Sequence, residues 1–180
     1  MLGIVFTEFS EMVEDAFSPE MLDQIIDDCA LDNDGAFTAV GAYDHETMLA
    51  LVGALSARTG MSVEALEQAF GTHLFKQFQT RYGSFFEGVH SAFDMLKRIE
   101  DHIHFEVKKL YPNAELPHFS WTEDGQGRLH LSYRSVRPFA PLAGGLIAGC
   151  IAHFGEDITM EEVPDGEDPA FATTFILTKG

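Results

Sequence analysis

Cationic side chains are scarce in this sequence. Its 180 residues contain 11 lysines and arginines against 29 aspartates and glutamates, which gives a formal net charge of −18. Nucleic-acid phosphates and anionic lipid surfaces are bound by clustered Lys and Arg, so this balance argues against binding to nucleic acid or to a membrane. An acidic surface favours basic patches on protein partners instead.

Cysteines and long apolar runs are also few. Two cysteines, Cys29 and Cys150, are too few for a disulfide scaffold and predict reduced thiols in a cytoplasmic protein. The start of the chain has no basic segment before its short apolar run, so we do not expect a secretory signal. The longest apolar stretch, residues 139–154, is broken by glycines and falls short of the ~20 residues that span a bilayer. It predicts a buried helix.

Apolar residues are plentiful and follow a helical period in the first two thirds of the chain. They make up 46% of the sequence and include 16 phenylalanines, which predicts a folded core. Ser18, Asp44 and Ser62 each precede such a segment and are predicted as N-caps. The predicted helices cover residues 4–17, three segments that follow these caps, and residues 91–110.

After Pro112 the period changes to the alternation of a strand. A glycine-rich helix is predicted over residues 141–154, between two pairs of strands. Helices followed by a mainly antiparallel four-stranded sheet with one inserted helix indicate an α+β domain. The predicted strands are residues 118–123, 129–134, 157–163 and 171–178.

Two histidines, His102 and His104, lie in the predicted fifth helix. In an α-helix they flank the apolar stripe on opposite sides, so either can reach a pocket beside the core. Periodicity alone does not choose between them, and an isolated histidine is usually an ordinary surface or core-edge residue. A structural zinc site would need four ligands at characteristic spacings, which the sequence lacks.

The strand predicted over residues 129–134 continues into Tyr133-Arg134-Ser135-Val136-Arg137. If the strand extends that far, Tyr133, Ser135 and Arg137 point to one face. A guanidinium with two hydroxyls is suited to gripping a carboxylate or a phosphate. Taken alone, the triplet is equally compatible with an ordinary strand end.

Together these features form a more specific pattern. His104, then Pro117, then Tyr133, Ser135 and Arg137 resembles the signature of the heme nitric oxide/oxygen-binding (H-NOX) family. This family includes the heme domain of soluble guanylate cyclase and stand-alone bacterial gas sensors. The stretch of residues 104–112, the opening residues 1–5 and the segment 69–71 are similar to it as well. The resemblance covers essentially the whole chain.

The resemblance implies roles for these residues. His104 would be the axial ligand of the iron in a ferrous heme b, and a neutral imidazole is a usual proximal ligand of gas-binding hemes. Its second ring nitrogen then needs a hydrogen-bond partner, which the sequence does not identify. Tyr133, Ser135 and Arg137 would hold the heme propionates, and Pro117 would press on the porphyrin and distort it.

The resemblance also bears on the choice of gas. Oxygen-binding members carry a tyrosine five residues beyond the motif arginine, and Leu142 stands at that position here. Without a hydrogen-bond donor, nothing stabilises the partial negative charge on bound oxygen. We therefore expect binding of nitric oxide and carbon monoxide but not of oxygen. The expected distal pocket consists of Val5, Phe9, Leu74, Phe78, Leu142 and Leu146.

The family mechanism implies a sensor rather than an enzyme. Nitric oxide would break the iron–His104 bond, free the segment 89–111, and let a helical part (about residues 1–62) rotate against a heme-binding α/β part (about 63–180). The shape change would regulate a separate enzyme, either a histidine kinase or a diguanylate cyclase/phosphodiesterase. No zinc is expected, because no cysteine follows Cys150.

Two other classes of protein remain open at this point. A heme or tetrapyrrole carrier would bind the ring without responding to gas. In an acidic adaptor module without heme, His102 and His104 would form only an incidental metal site. Transfer of heme to an acceptor protein distinguishes the first, and a colourless protein that ignores added hemin distinguishes the second.

Overall fold

Four helices form the first part of the computed structural model, which describes residues 1–180. Ser18 and Ser62 cap two of them, as predicted: their hydroxyls accept hydrogen bonds from Met21 N at 3.1 Å and Ala65 N at 3.2 Å. Asp44 is the N-cap residue of a third helix, as predicted, but its side chain makes no capping hydrogen bond. The helices are α1 (Gly3–Ala16), α2 (Pro19–Cys29), α3 (His45–Thr59) and α4 (Val63–Arg81).

The single helix predicted over residues 91–110 is wrong. The chain forms α5 (Ala92–Lys97), a π-helical turn (Ile99–His104) and α6 (Phe105–Leu110). A π turn takes in one residue more than an α turn, so side chains beyond it are rotated away from the stripe of an unbroken α-helix. Leu110, which an unbroken α-helix would place on the apolar stripe of this segment, is accordingly 74% exposed.

The second part of the chain is the predicted sheet with its inserted helix. The strands lie in the order β1-β2-β4-β3 and every neighbouring pair is antiparallel. Helix α7 (Ala140–Phe154) connects β2 to β3. The α+β prediction is confirmed. The strands are β1 (His118–Glu123), β2 (Leu129–Arg134), β3 (Ile158–Pro164) and β4 (Ala172–Lys179).

Helices α4 and α7 cross in backbone contact at two glycines. A Cβ added to Gly71 would lie 2.2 Å from the carbonyl oxygen of Leu142, and one added to Gly145 would lie 2.1 Å from that of Gln68. Neither position accommodates a side chain without a shift of the backbone. The crossing therefore fixes where the first half of α7 lies relative to α4.

Two apolar clusters fill the interior. One is built from α1 to α4 and includes Leu142 of α7; the other joins the sheet with α5 and most of α7. Leu146 packs against both clusters. Helix α4 also contributes to both, through Phe70 to the first and Phe75 to the second. The division of the chain near residue 62 therefore stays a prediction.

No single helix is both long enough and apolar enough to cross a membrane. The pair α3 and α4 meets both requirements together, but the two helices meet at an angle of 114°. Helix α7, predicted from the apolar run as a buried helix, has eight buried residues out of 15.

Candidate heme site

His104 is the last residue of the π turn, and its ring is held in place by Glu100 and Phe119. Its side chain is only 14% exposed, and its Nδ1 lies 3.3 Å from Oε2 of Glu100. The ring also packs against Phe119 of β1, with the ring centroids 5.8 Å apart. The Nε2 atom makes no hydrogen bond. His104 therefore presents one free ring nitrogen.

Glu100 is the partner that the sequence did not identify. One carboxylate oxygen faces His104 and accepts a hydrogen bond from Phe119 N at 3.0 Å, while the other lies 3.0 Å from Nδ1 of His118. Burial opposes ionisation, but these hydrogen bonds outweigh it and lower the pKa of Glu100. The i,i+4 spacing to His104 was its only signal in the sequence.

The protonation state of His104 also suits a ligand. Burial lowers the pKa of His104, and the Glu100 carboxylate opposes that shift only in part. The ring of His104 therefore stays neutral down to a lower pH than the ring of an exposed histidine does. A neutral imidazole whose Nδ1–H points at a carboxylate directs the Nε2 lone pair outward, as in many metal-ligating histidines.

The structure separates the two histidines that periodicity left equivalent. His102 is exposed, and its ring meets the edge of the Phe85 ring at a centroid distance of 5.7 Å. Its contacts lie outside the cluster of residues around His104.

Tyr133, Ser135 and Arg137 come together, although not in the way predicted. Strand β2 ends at Arg134, so the prediction of one strand face is wrong for Ser135 and Arg137. The Ser135 hydroxyl accepts a hydrogen bond from Arg137 N at 3.0 Å and turns the chain there. The hydroxyl of the buried Tyr133 lies 3.5 Å from Arg137 O, so the turn keeps the three residues together.

The Arg137 guanidinium already binds a carboxylate of this chain. Its Nη2 atom forms an ion pair with Glu115, and its Nη1 donates to the Glu115 carbonyl oxygen at 3.3 Å. The guanidinium side chain is only 13% exposed. Pro117 is half-buried two residues beyond Glu115. A protected arginine paired with a carboxylate is the arrangement that a propionate group would require.

The six residues predicted for the distal pocket are also brought together. All of them lie in, or pack directly against, the apolar cluster of the N-terminal helices. Phe9, Leu74 and Leu142 are buried, and Leu146 also reaches the cluster on the sheet side. The pocket prediction names only apolar side chains: Val5, Phe9, Leu74, Phe78, Leu142 and Leu146.

Comparison with known proteins agrees with this arrangement. A family model described as haem-NO-binding matches residues 2–162. The chain belongs to the H-NOX family. No curated protein sequence matches it.

Three solved H-NOX structures share the fold. The unliganded Fe(II) protein from K. algicida is 35% identical with a TM-score of 0.92, and the alignment covers 100% of this chain and 97% of that one. The IWP-051-bound Fe(II)CO protein from Shewanella woodyi is 39% identical with a TM-score of 0.85, covering 100% and 95%. The Fe(II)NO protein from S. oneidensis, 24% identical with a TM-score of 0.91 and covering 100% and 99%, shows the fold alone.

H-NOX domains are sensor domains that bind heme, and the residues of this H-NOX chain fit that group. His104 offers a free Nε2 on a neutral ring, Arg137 is already paired with a carboxylate, and α1, α4 and α7 contribute an apolar cluster. These groups would serve as an iron ligand, a propionate site and a lining for a flat apolar ring.

Removing the Glu100 side chain is expected to weaken heme binding. In Glu100→Ala, His104 loses the acceptor at its Nδ1, so the ring is less well oriented and a weaker donor. Loss of such a partner typically costs 10–100-fold in metal affinity, so we expect a decrease of roughly that size in heme affinity. Hemin titration measures it, and the iron–histidine stretching frequency of the reduced protein should fall as well.

The matched control for this change is Glu106→Ala. Glu106 lies on α6 and pairs with the exposed Lys109, so its removal deletes one carboxylate from the same segment without touching His104. Equal heme affinity and equal stretching frequency in Glu100→Ala and Glu106→Ala would show that Glu100 has no part in orienting His104.

Proposed function

We propose that this H-NOX domain is a nitric oxide sensor with a ferrous heme b, in which His104 is the axial ligand and its release is the signal. The observation that carries the proposal is the unpartnered Nε2 of His104 on a ring fixed through Nδ1 by Glu100. When bound, heme would supply an iron atom that can bind a diatomic gas, and His104 would be its protein ligand.

The polarity of the expected gas pocket supports nitric oxide and carbon monoxide over oxygen. The six side chains predicted around the gas, Leu142 among them, are hydrocarbon throughout. Bound oxygen carries partial negative charge and gains from a hydrogen-bond donor, whereas the other two gases depend on one far less. Excluding oxygen in this way lets the domain detect nitric oxide in air.

The segment that would move, residues 89–111, is held by few apolar contacts at its C-terminal end. The π turn carries His104 between two six-residue helices, and Phe105 and Leu110 of α6 are 56% and 74% exposed. Few apolar contacts therefore hold α6 once His104 is free. A change in residues 89–111 would then be read by another protein.

The expected partner is a separate signalling enzyme, a histidine kinase or a diguanylate cyclase/phosphodiesterase, met in the cytoplasm. Residues 1–62 contain 12 acidic side chains and one basic side chain, Arg58, which pairs with Asp28. Eight of the 11 cationic side chains in the chain form internal ion pairs. The remaining negative charge favours a basic surface on the partner.

The absorption spectrum of the reduced, oxygen-free protein before and after addition of nitric oxide tests the proposal. We expect the spectrum of five-coordinate high-spin ferrous heme, which then shifts to that of a five-coordinate nitric oxide complex in which His104 no longer binds iron. A vibrational spectrum with the iron–histidine bond intact after nitric oxide addition would refute release. Transfer of heme to an acceptor without any gas response would favour a carrier.

A further inference from the structure

The Glu100 carboxylate makes more contacts than the one with His104. Its Oε2 atom lies 3.3 Å from His104 Nδ1 and accepts a hydrogen bond from Phe119 N at 3.0 Å. Its Oε1 atom lies 3.0 Å from Nδ1 of His118, the first residue of β1. Iron ligation accounts for the contact with His104 alone, so His118 is left without a role.

The two oxygens of the Glu100 carboxylate have different partners. Oε2 faces His104 and Phe119 N, whereas Oε1 faces only His118. Rotation of a glutamate carboxylate about its last side-chain bond has only a broad, two-fold preference. A donor on Oε1 restricts that rotation, so His118 helps to determine where Oε2 points relative to His104 Nδ1.

His118 is placed by the sheet rather than by the π turn. It is paired with Arg134 of β2 in the antiparallel register, and it directly follows Pro117. An ionised carboxylate only accepts hydrogen bonds, so Nδ1 of His118 carries the proton that faces Glu100. The bond therefore ties the turn that carries His104 to the start of β1.

This link lies on the solvent side of the expected iron ligand. An open cavity of about 250 Å³ borders Glu100 and His118, whose side chains are 36% and 63% exposed, whereas that of His104 is 14% exposed. Solvent competes with His118 for the carboxylate, so we expect the bond to contribute less than a buried one does. Its loss should therefore produce a graded change at His104 and not the loss of the site.

We propose that His118 is a positioning residue for the iron ligand: its hydrogen bond fixes the Glu100 carboxylate, and Glu100 in turn orients His104. His118 thereby helps to set the strength of the iron–His104 bond, and with it the ease with which nitric oxide releases His104. The inference rests on the proposed heme function. It concerns a residue that binds neither the iron nor the gas and acts through Glu100.

His130 offers a matched control on the same sheet. It also pairs with a carboxylate, because its Nε2 lies 3.3 Å from Oδ2 of Asp124. That pair lies at the far end of the β1–β2 hairpin from His118. Replacing His130 with leucine therefore removes one histidine–carboxylate contact from the sheet without touching Glu100.

The experiment compares the wild-type protein with His118→Leu, His118→Asn and His130→Leu. In the heme-loaded ferrous protein, the iron–histidine stretching frequency is measured first, and then the rate at which the iron–His104 bond breaks after nitric oxide is added. In His118→Leu we expect a lower frequency and a rate about two- to tenfold faster, the range that corresponds to one net hydrogen bond. Asparagine keeps an N–H donor, so His118→Asn should restore both quantities toward the wild-type values.

Three outcomes would overturn the inference. The first is a His118→Leu variant with the frequency and rate of the wild type. The second is an equal change in His130→Leu, which would show a general effect of the sheet. The third is a His118→Asn variant that behaves like His118→Leu, since the hydrogen bond would then not be the cause.

A second measurement does not depend on heme. The Phe119 N–H donates to the same carboxylate, so its protection from hydrogen exchange reports how firmly Glu100 is held. We expect the protection factor of this amide to be about two- to tenfold lower in His118→Leu and nearly unchanged in His118→Asn and His130→Leu. Equal protection in His118→Leu and wild type would show that His118 does not fix Glu100. If the wild type binds no heme, the proposed function fails while the exchange result still tests this contact.

Discussion

Replacing His104 with glycine is expected to abolish tight heme binding. The Nε2 of His104 is free while its Nδ1 lies against Glu100, and its side chain is only 14% exposed. His118 also places its Nδ1 against Glu100, but its side chain is 63% exposed and is therefore not held in a protected site. We expect heme affinity to fall by more than about 100-fold, beyond the loss typical for a missing hydrogen-bond partner of a ligand. Hemin titration and the Soret band of the reduced protein measure this.

The matched control is His102→Gly, two residues earlier in the same π turn. It carries the same backbone change, but the lost ring is exposed and packs only against Phe85. Added imidazole should restore a five-coordinate spectrum in His104→Gly, because it replaces the missing ligand. An unchanged Soret band in His104→Gly, or equal losses in both variants, would contradict the assignment of His104.

Leu142→Tyr is expected to let the domain bind oxygen. Leu142 is buried in the apolar cluster. The resemblance of the sequence to the family implies that oxygen-binding members carry tyrosine at this position. A hydroxyl there can donate to the partial negative charge on bound oxygen, and hydrogen bonds to charged groups contribute about 1.5–3 kcal/mol, or roughly 10–150-fold in affinity. We expect the reduced variant to give a stable oxygen-bound spectrum in air.

Leu142→Phe is the control for this experiment. It adds the same ring to the pocket without the hydroxyl, so it separates the hydrogen bond from the change in packing near Gly71. The wild-type protein and Leu142→Phe should both fail to form a stable oxygen complex. Oxygen binding by the wild type would refute the proposed selectivity, and oxygen binding by Leu142→Phe would show that pocket shape controls it.

Local signals in the sequence were sufficient for much of the fold. Serine hydroxyls cap the helices after residues 18 and 62 because their bonds reach only three residues along the chain. The strand bounds agree with the structure to within one residue, because alternation of buried and exposed positions acts over adjacent residues. The spacing of His104, Pro117 and the Tyr133 triplet was enough to indicate the family that the comparisons confirm.

The sequence failed where the backbone departs from a regular helix. An unbroken α-helix over residues 91–110 makes His102 and His104 equivalent, whereas the π turn leaves His102 exposed and turns His104 toward β1. The same change of phase exposes Leu110. Assigning helix faces with a period of 3.6 residues assumes the hydrogen-bond pattern of an α-helix. One π turn shifts the helical phase, so the assigned faces are wrong for every later position in the segment.

What the sequence by itself determined is the set of groups available: an imidazole, a carboxylate-gripping arginine and a wall of hydrocarbon side chains. Only the tertiary structure decided how they are supported. Glu100 accepts a hydrogen bond from Phe119 N, 19 residues away on β1, an element that no local pattern links to it. The reason is physical: a buried carboxylate takes its partners and its pKa from whatever the fold brings beside it, and that is a property of packing between distant segments.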